Sequence, residues 1–472
     1  MKKKFFICCS FLTVLMLNSS KIKAQTIPVG YANVEDYYRQ NQLLSDSSLD
    51  KLSYTIRPIV PTKNFGVFSA YFTDSAQTSY HLLNIQSSYK SKDEVINYHL
   101  LPIQFQTSFN SDHPYGWNDG PMIPAKGLQT YLSAGFYAES GLLSVQFQPE
   151  IILAANPDFE GLSKDHYDVI SARYYDFYNQ IDLPERFGDN TYGKAFWGQS
   201  SIRLNHKNLS IGFSTENLWW GPSISTSLLM SNTAPGFKHF TLNTIKPIQT
   251  KIGSFEGQII AGWPQTSKYG VLNPERTYFN EPLYVPKSES QRYLSGMIFT
   301  WHPKWVKGLY LGFDRTLQLY AKQQGNKLSD YLPLFSPFQS FSADESLVKR
   351  QQMGAIFFRW IWSESKVEFY GEWGKHNQNN SLRNALLEPE KNRAYVFGLR
   401  KIIPLRNKDA HLLISTEVSQ LNETNLNDIT NLNSWYINSF ITAGYTNQGQ
   451  QIGAGIGPGA NLQQVSISWN KG

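Results

Sequence analysis

Short segments in which apolar and polar residues alternate one by one recur along most of the chain. The alternation runs through residues 128–137 and 143–151, and again through residues 202–213 and 367–373. A period of two residues is typical of a β-strand whose two faces meet unlike environments. Pro149 departs from the pattern because proline cannot donate a hydrogen bond to a strand ladder. The alternation predicts many antiparallel strands, each with an apolar and a polar face.

The connections between these segments alternate in length. Short connections lie near residues 139–141, 206–208, 247–251, 303–307, 363–366, 404–409 and 446–449. Long connections lie near residues 110–126, 154–197, 217–237, 263–292, 319–350, 375–392 and 419–434. A bacterial outer-membrane barrel has short periplasmic turns, longer extracellular loops, and strands that are apolar outside and polar inside. This order predicts an all-β fold, a transmembrane antiparallel β-barrel of about 18 strands, over residues 63–472 with long extracellular loops.

A soluble all-β array such as a propeller is the alternative, because it is also built from short alternating strands. The sequence shows no fixed-period repeat of the kind that a propeller requires. Aromatic residues make up 14% of the chain and charged residues 17%, yet no apolar run after residue 24 is long enough for a transmembrane helix. We expect strands to cross the membrane.

The N-terminus has the pattern of a secretory signal peptide. Three lysines at positions 2–4 precede an apolar run over residues 5–17, and the small residue Ala24 follows. The run is too short to span a bilayer as a helix. We predict a signal peptide over residues 1–24, which also contains both cysteines, Cys8 and Cys9, so that the mature chain has no thiol for a disulfide.

Charge argues against nucleic acid as a partner. The predicted signal peptide holds five of the 43 basic residues and none of the 37 acidic ones, which leaves a formal net charge of +1 on the mature chain. A nucleic-acid-binding protein shows a basic excess or stripe. No nucleic acid partner is expected.

Residues 25–62 precede the predicted barrel and are expected to form an N-terminal helical segment in the periplasm. Within it, residues 34–44 favour a helix, because Tyr37, Tyr38, Asn41 and Leu44 are near helical spacing. A plain linker is the alternative.

Several separated motifs occur in an order that resembles the Wzi capsule-assembly family, in its Bacteroidetes-like branch. They are Ser53-Tyr-Thr-Ile-Arg-Pro58, Gly116-Trp-Asn-Asp-Gly120, Met122-Ile-Pro-Ala-Lys-Gly127, Asp182-Leu-Pro-Glu-Arg-Phe-Gly188, Trp219-Trp-Gly-Pro222, Leu228-Leu-Met-Ser-Asn232 and Ala234-Pro-Gly-Phe237. The resemblance extends from about residue 30 to the C-terminus. It implies an 18-stranded outer-membrane barrel with a helical bundle at its periplasmic end. It also implies a surface lectin that attaches exported capsular polysaccharide to the cell.

Catalytic motifs are not found in the sequence. It contains no His-Glu-x-x-His, no Gly-x-Ser-x-Gly and no glycine-rich phosphate loop, and its nine histidines lack metal-ligand spacing. Acidic residues cluster in Asp158/Glu160, Asp165/Asp168 and Asp182/Glu185/Asp189. A glycosidase needs two carboxylates at a defined separation, whereas solvated loop charge is the better explanation of these clusters. We expect no enzyme activity, cofactor or metal.

Sugar binding needs aromatic faces for stacking and polar side chains for the hydroxyl groups. The long loops are rich in both. The candidate polysaccharide-binding residues are Trp117, Asn118, Asp119, Tyr174, Tyr175, Asp176, Glu185, Arg186, Trp219 and Trp220. The alternative for each is packing of the loop or membership of the interfacial aromatic girdle.

Three functions remain open from the sequence: a surface lectin for capsular or other exopolysaccharide, a passive porin or transporter, and an outer-membrane hydrolase. Long loops that fold inward would occlude the lumen and weaken the porin hypothesis. We expect the partners to be polysaccharide, outer-membrane lipid and, during biogenesis, the barrel-assembly machinery. The protein is expected to be a monomer.

Overall fold

The structure is a computed structural model that describes residues 27–30, 32–44, 52–59, 88–90, 96–163, 165–325, 331, 350–376, 392–406, 410–422 and 435–471. The predicted signal peptide, with Cys8 and Cys9, lies outside the described residues. So do residues 63–87 of the predicted barrel and parts of the predicted long loops over residues 319–350, 375–392 and 419–434.

Within the described residues, eighteen strand segments form one closed antiparallel barrel. They are β2 (Ser88–Lys90), β3 (Asn97–Tyr115), β4 (Ala125–Ser140), β5 (Leu143–Phe147), β6 (Glu150–Ala154), β7 (Tyr192–Phe196), β8 (Ser201–His206), β9 (Leu209–Ser214), β11 (His239–Thr244), β12 (Ile248–Thr250), β13 (Gly253–Gly262), β16 (Arg292–Pro303), β17 (Leu309–Tyr320), β18 (Gln351–Trp362), β19 (Val367–His376), β20 (Arg393–Pro404), β21 (Ala410–Gln420) and β24 (Asn461–Lys471). Three short pairs lie outside the barrel wall: β1 (Ile56–Arg57) with β10 (Trp219–Trp220), β14 (Thr277–Tyr278) with β15 (Glu281–Pro282), and β22 (Thr446–Asn447) with β23 (Gln450–Gln451). The all-β barrel predicted from the alternation is confirmed.

Some of the eighteen segments are halves of one interrupted strand. Both β5 and β6 pair with β4, and the break between them contains Pro149. Proline has no backbone N–H, so the ladder stops there, as the sequence indicated. In the same way β7 and β8 continue one strand beside β6 and β5, and β11 and β12 continue one strand beside β13.

The two faces of the barrel wall differ as the alternation predicts. Apolar side chains point outward and are exposed, among them Phe109, Leu128, Ile151, Leu153, Ile202, Phe240, Ile356, Val465, Ile467 and Trp469. Polar side chains of the same strands are buried in the lumen, among them Gln129, Ser133, Arg203, Asn205, Thr241, Gln258, Thr300, Glu368, Arg400 and Glu417. An apolar outer surface on a polar interior is the arrangement of an outer-membrane barrel.

Short turns join strands at one end of the barrel and long connections at the other. The turns at residues 207–208 and 363–366 illustrate the short-turn end, which is the periplasmic end in barrels of this kind. The short connection predicted near residues 446–449 is present, but it does not join two strands of the barrel wall. This segment forms the β22–β23 hairpin, whose residues Thr446 and Asn447 are buried inside the barrel.

A helix over Ala32–Leu44 closes the short-turn end of the barrel. Leu43 is fully buried in a cluster with four side chains of the barrel wall, Tyr310, Ile361, Ile402 and Leu413. The predicted helix is present, and it is inserted into the mouth of the barrel. Its buried residues include Tyr38, Arg39 and Leu43, whereas Tyr37 and Leu44 are exposed. Among the described residues, no helix is long and apolar enough to cross a membrane.

A buried ionic cluster holds the N-terminal helix in place. The carboxylate of Glu368 on β19 contacts the guanidinium groups of Arg39, Arg359 and Arg400, and all four side chains are almost completely buried. Arg359 also donates to the Ser53 carbonyl oxygen at 2.8 Å. Arg39 belongs to the helix, whereas Arg359, Glu368 and Arg400 lie on the wall strands β18, β19 and β20. The cluster therefore joins the N-terminal segment to the barrel.

Two long connections fold back into the lumen and fill it. We call residues 217–237 and 435–455 the plug. Its largest side chains, Trp220, Trp435 and Tyr436, are fully buried and share one hydrophobic core with Leu228, Leu229, Met230, Ile260, Leu294 and Ile298. The expectation that residues 217–237 form an extracellular loop is corrected: this segment lies inside the barrel, where its apolar residues are removed from water.

Carboxylates of the barrel wall hold the plug through its backbone. Glu417 accepts hydrogen bonds from the N–H groups of Ile224 and Thr226, each at 2.8 Å, and from the Tyr370 hydroxyl at 2.7 Å. Glu372 lies against Gly221, whose φ is +94° and where an added Cβ would stand 2.3 Å from a carboxylate oxygen. This close approach explains the glycine in Trp219-Trp-Gly-Pro222.

Candidate functional site

Two loops at the long-connection end pack into one unit. We call residues 155–191 and 264–291 the outer loop pair. The first contains a helix over Asp168–Asn179, at whose end the Asn179 side chain donates to the Leu283 carbonyl oxygen at 2.9 Å and accepts from the Val285 N–H at 2.8 Å. The side-chain amide of Asn179 therefore joins the helix to the backbone of the second loop.

Acidic side chains of the first loop bind the backbone of the second. Asp182 accepts from the Ser267 N–H at 2.7 Å and hydroxyl at 2.6 Å, and Glu185 accepts from the Leu272 N–H at 2.8 Å. Burial raises the pKa of the Asp182 carboxyl, and the bonds from Ser267 partly oppose that rise. These carboxylates hold the two loops together.

A cationic side chain completes the junction. Lys287 donates to the Tyr178 carbonyl oxygen, and its ammonium lies 5.3 Å from the centre of the Tyr284 ring. Burial lowers the pKa of Lys287 to about 8, although neighbouring Asp182 favours the charged form. The ammonium is thus engaged within the loop pair.

The outer loop pair rests on the plug. The Asp182 N–H donates to the Ala443 carbonyl oxygen at 2.9 Å, and the Gln448 N–H donates to the Gln265 carbonyl oxygen at 2.7 Å. The packed plug supports the loops on their lumen side. The outer loop pair can therefore present a fixed surface to the outside.

Tyr174, Tyr175 and Asp176 lie on the helix of the outer loop pair. Tyr175 is buried, and its hydroxyl donates to the Asn273 carbonyl oxygen at 2.6 Å, so it joins the loops. Tyr174 is half-buried, and its ring centre lies 4.8 Å from that of Tyr178. Asp176 is exposed and accepts from Gln180 one helical turn later.

Glu185 and Arg186 have structural contacts within the same unit. Glu185 binds the second loop, as described above. Arg186 donates to the Asn156 carbonyl oxygen at 2.8 Å and to the Asp189 carbonyl oxygen at 2.9 Å, and it forms an ion pair with Asp158. These contacts fix the ends of the first loop relative to each other.

Trp117, Asn118 and Asp119 lie in the connection between β3 and β4, which packs on the plug. The Asn118 amide donates to the Ser225 carbonyl oxygen at 2.6 Å. Trp117 is half-buried and donates to the Tyr115 hydroxyl at 3.0 Å. Burial raises the pKa of the half-buried Asp119 carboxyl. Part of this group faces solvent at the same end of the barrel as the outer loop pair.

Trp219 and Trp220 are in the lumen and not in an external loop. They are 5% and 0% exposed. The Arg57 guanidinium lies 5.2 Å from the centre of the Trp219 ring, and Trp220 donates to the Gln258 side chain at 2.8 Å. The sequence could not separate these roles, because a tryptophan that stacks on sugar and one that packs a plug have the same local pattern.

Two exposed aromatic residues of the outer loop pair, Tyr278 and Phe279, were missed in the sequence, whereas Tyr167 was noted there as a loop aromatic. Phe279 and Tyr167 are each 83% exposed, and Tyr278 lies beside Phe279 with ring centres 4.3 Å apart. The signal that could have found them is the pair Tyr278-Phe279 in the middle of a long loop, directly before Asn280. Together with their polar neighbours they make the outer loop pair the candidate site.

Comparison with known proteins agrees with this architecture. The sequence profile of the family described as "Capsule assembly protein Wzi" matches residues 127–470, which is most of the chain. The chain belongs to the Wzi capsule assembly family. No curated protein sequence matches it significantly.

Solved structures give the fold of the family. Escherichia coli Wzi, described as an outer-membrane protein involved in group 1 capsule assembly and as a carbohydrate-binding β-barrel, is 16% identical, with a TM-score of 0.55. The match covers 94% of this chain and 81% of that one. The outer-membrane channel DcaP of Acinetobacter baumannii is 10% identical over 81% of this chain and 99% of its own, but its TM-score of 0.28 is too low to support an argument.

The family description names an assembly protein and no catalysed reaction. Of the acidic clusters considered for a hydrolase, the one with Asp182 and Glu185 has a structural role in this Wzi-family chain, since both carboxylates bind the backbone of the facing loop. Within the described ranges, no group of three or more His, Cys, Asp or Glu side chains could hold a metal ion.

Proposed function

We propose that this Wzi-family barrel is a surface lectin that attaches exported capsular polysaccharide to the outer membrane. The proposal rests on two features that occur together. The lumen is filled, and the outer loop pair forms a rigid, aromatic-rich platform at the mouth of the barrel. A channel needs an open lumen, whereas a lectin needs a fixed outer surface. Family membership supports a role in capsule assembly.

The filled lumen argues against the porin hypothesis. The N-terminal helix closes the short-turn end, and the plug occupies the interior up to the outer loop pair. Two cavities beside the plug are small, with volumes of about 140 and 210 Å³. They adjoin at Asp36 and Ile224, which line both. Neither is on the scale of the aqueous channel that a porin encloses.

Attachment at this platform would act through many weak contacts. A long polymer that engages many barrels at once stays bound, because each bound segment raises the effective concentration of the next. Of the residues chosen from the sequence, Trp117, Tyr174 and Asp176 remain candidates for direct contact with sugar. Tyr175, Glu185 and Arg186 would support the platform, and Trp219 and Trp220 would hold the plug.

The remaining partners are also proposals. The apolar outer face would contact outer-membrane lipid, and the barrel-assembly machinery would insert the chain after removal of residues 1–24. We propose a monomer, and we propose that the chain belongs to the Bacteroidetes-like branch of the family.

Binding of polysaccharide to the purified barrel tests the lectin activity. The wild-type protein in lipid nanodiscs is titrated against capsular polysaccharide extracted from its own strain. We expect saturable binding, competed by the free polymer, and none to empty nanodiscs. A signal no larger than that of empty nanodiscs contradicts the proposal.

A further inference from the structure

One of the two most exposed aromatic side chains of the outer loop pair, Phe279, lies at the tip of the β14–β15 hairpin beside Tyr278. In this hairpin Tyr278 pairs with Glu281, and Phe279 and Asn280 are the two central residues of the turn. Both central residues are left-handed, with φ of +50° and +66°. A turn of this kind favours asparagine or glycine at both positions, and a bulky aromatic residue there is strained.

The strain at Phe279 is not offset by burial of its ring. The side chain is 83% exposed, so it contributes little to the stability of the fold. Residues in strained backbone conformations cluster at ligand-binding positions. The turn therefore presents an aromatic ring to the outside at a position where glycine would fit the backbone better.

The hairpin has firm support. The Leu283 N–H donates to the Arg276 carbonyl oxygen at 2.9 Å and closes the base of the hairpin. The Arg276 guanidinium donates to the His166 carbonyl oxygen at 2.9 Å and lies 3.7 Å from Asp168. The hairpin is thus held against the start of the loop helix, beside exposed Tyr167. A ring held in this way loses little freedom when a ligand stacks on it.

The outer loop pair as a whole is acidic. The outer loop pair contains eleven Asp and Glu residues and six Lys and Arg residues. Asp158 and Asp189 are almost fully exposed, whereas Arg186 and Arg276 contact carboxylates or backbone oxygen atoms. Like charges repel at distances up to about 8 Å at physiological salt. Although Arg173 and Lys268 are exposed, the excess of carboxylates disfavours a polyanion on this surface.

We propose that Tyr278 and Phe279 stack on an uncharged segment of the polysaccharide, and that the surrounding carboxylates disfavour segments rich in uronate or other acidic groups. The inference rests on the proposed lectin function and names the class of sugar that its outer surface takes. Uncharged sugar rings present C–H faces to the aromatic side chains, and their hydroxyl groups can donate to the exposed carboxylates.

Two glycine substitutions separate sugar contact from folding. Phe279→Gly removes the ring and relieves the backbone strain, and Asn280→Gly relieves strain at the next residue while the ring stays. In titrations against the strain's own polysaccharide, we expect Phe279→Gly to weaken binding on the order of fivefold, comparable with one aromatic contact. Asn280→Gly should bind as the wild type does.

Charge preference is tested with the same polymer before and after carbodiimide-mediated reduction of its carboxyl groups, which makes uronates into uncharged hexoses. We expect the wild type to bind the reduced polymer at least as tightly as the native one. Asp158→Asn/Asp189→Asn should strengthen binding of polygalacturonate, with calcium removed. A fivefold loss on carboxyl reduction, or unchanged binding by Phe279→Gly, overturns this inference and leaves the lectin function standing. Wild-type protein that binds neither form overturns the lectin function itself.

Discussion

Replacement of Trp220 by alanine is expected to loosen the plug and lower the stability of the folded barrel by about 3–5 kcal/mol. Trp220 is fully buried, and its indole N–H donates to Gln258 at 2.8 Å. Its ring also fills the space beside Gly296 on β16, where an added Cβ would stand 2.7 Å from it. The substitution removes this packing and leaves Gln258 without its donor.

Two measurements report the effect of Trp220→Ala. The midpoint of heat-modifiable migration on a gel should fall. In planar bilayers we expect no steady conductance from the wild type and fluctuating conductance from the variant. Trp305→Ala is the matched control, because Trp305 is exposed in the turn between β16 and β17. If Trp220→Ala behaves like Trp305→Ala in both measurements, the plug does not depend on this packing.

Substitution of Glu368 by glutamine is expected to release the N-terminal helix. It removes the carboxylate shared by Arg39, Arg359 and Arg400, whose side chains are all buried. Uncompensated charges in such a site cost about 3–5 kcal/mol. The hydrogen bonds between the barrel strands remain. We therefore expect the loss of stability to be concentrated at the helix and at residues 52–59.

Limited proteolysis of the purified barrel measures this release. Trypsin should cleave Glu368→Gln within residues 32–59 at least tenfold faster than it cleaves the wild type, while heat-modifiable migration persists. The control is Glu364→Gln, since Glu364 is an exposed carboxylate in the turn that precedes β19. Equal cleavage of all three proteins would mean that the helix is held by its apolar contacts alone.

The barrel could be predicted from the sequence because its wall obeys a local rule. Along β4, Leu128 and Leu132 face outward and Gln129 and Ser133 face the lumen, as the period of two requires. The regular order of short and long connections then indicated an antiparallel barrel with short turns at one end and long loops at the other. Even the interruption of β5 and β6 could be anticipated, because Pro149 cannot join a ladder.

The plug could not be predicted, because its residues obey no local rule. A long connection that folds inward must satisfy a polar lumen and a small apolar core at once, so residues 217–237 mix Ser, Thr and Asn with Trp, Leu and Met. An exposed sugar-binding loop has a similar composition. Only the contacts with Glu372 and Glu417, more than 140 residues away, show that this segment lies inside the barrel.

The candidate site was located in part. Most of the loop predicted over residues 154–197 is an outer connection, but Tyr192–Phe196 forms strand β7 of the wall. The residues picked in the loop are mostly those that hold the loops together, such as Tyr175 and Arg186. Tyr278 and Phe279 were missed because exposure and backbone strain decide their importance, and neither property is visible in the residue types.

Partition of polysaccharide between cells and medium tests the attachment role most directly. In a strain from which the gene is deleted, we predict that total polysaccharide is unchanged while most of it moves from the cell-bound to the released fraction. Wild-type protein expressed in that strain should restore the cell-bound fraction, and Phe279→Gly should restore it only in part. A deletion strain that keeps its full coat, or that stops producing polymer, would contradict the account.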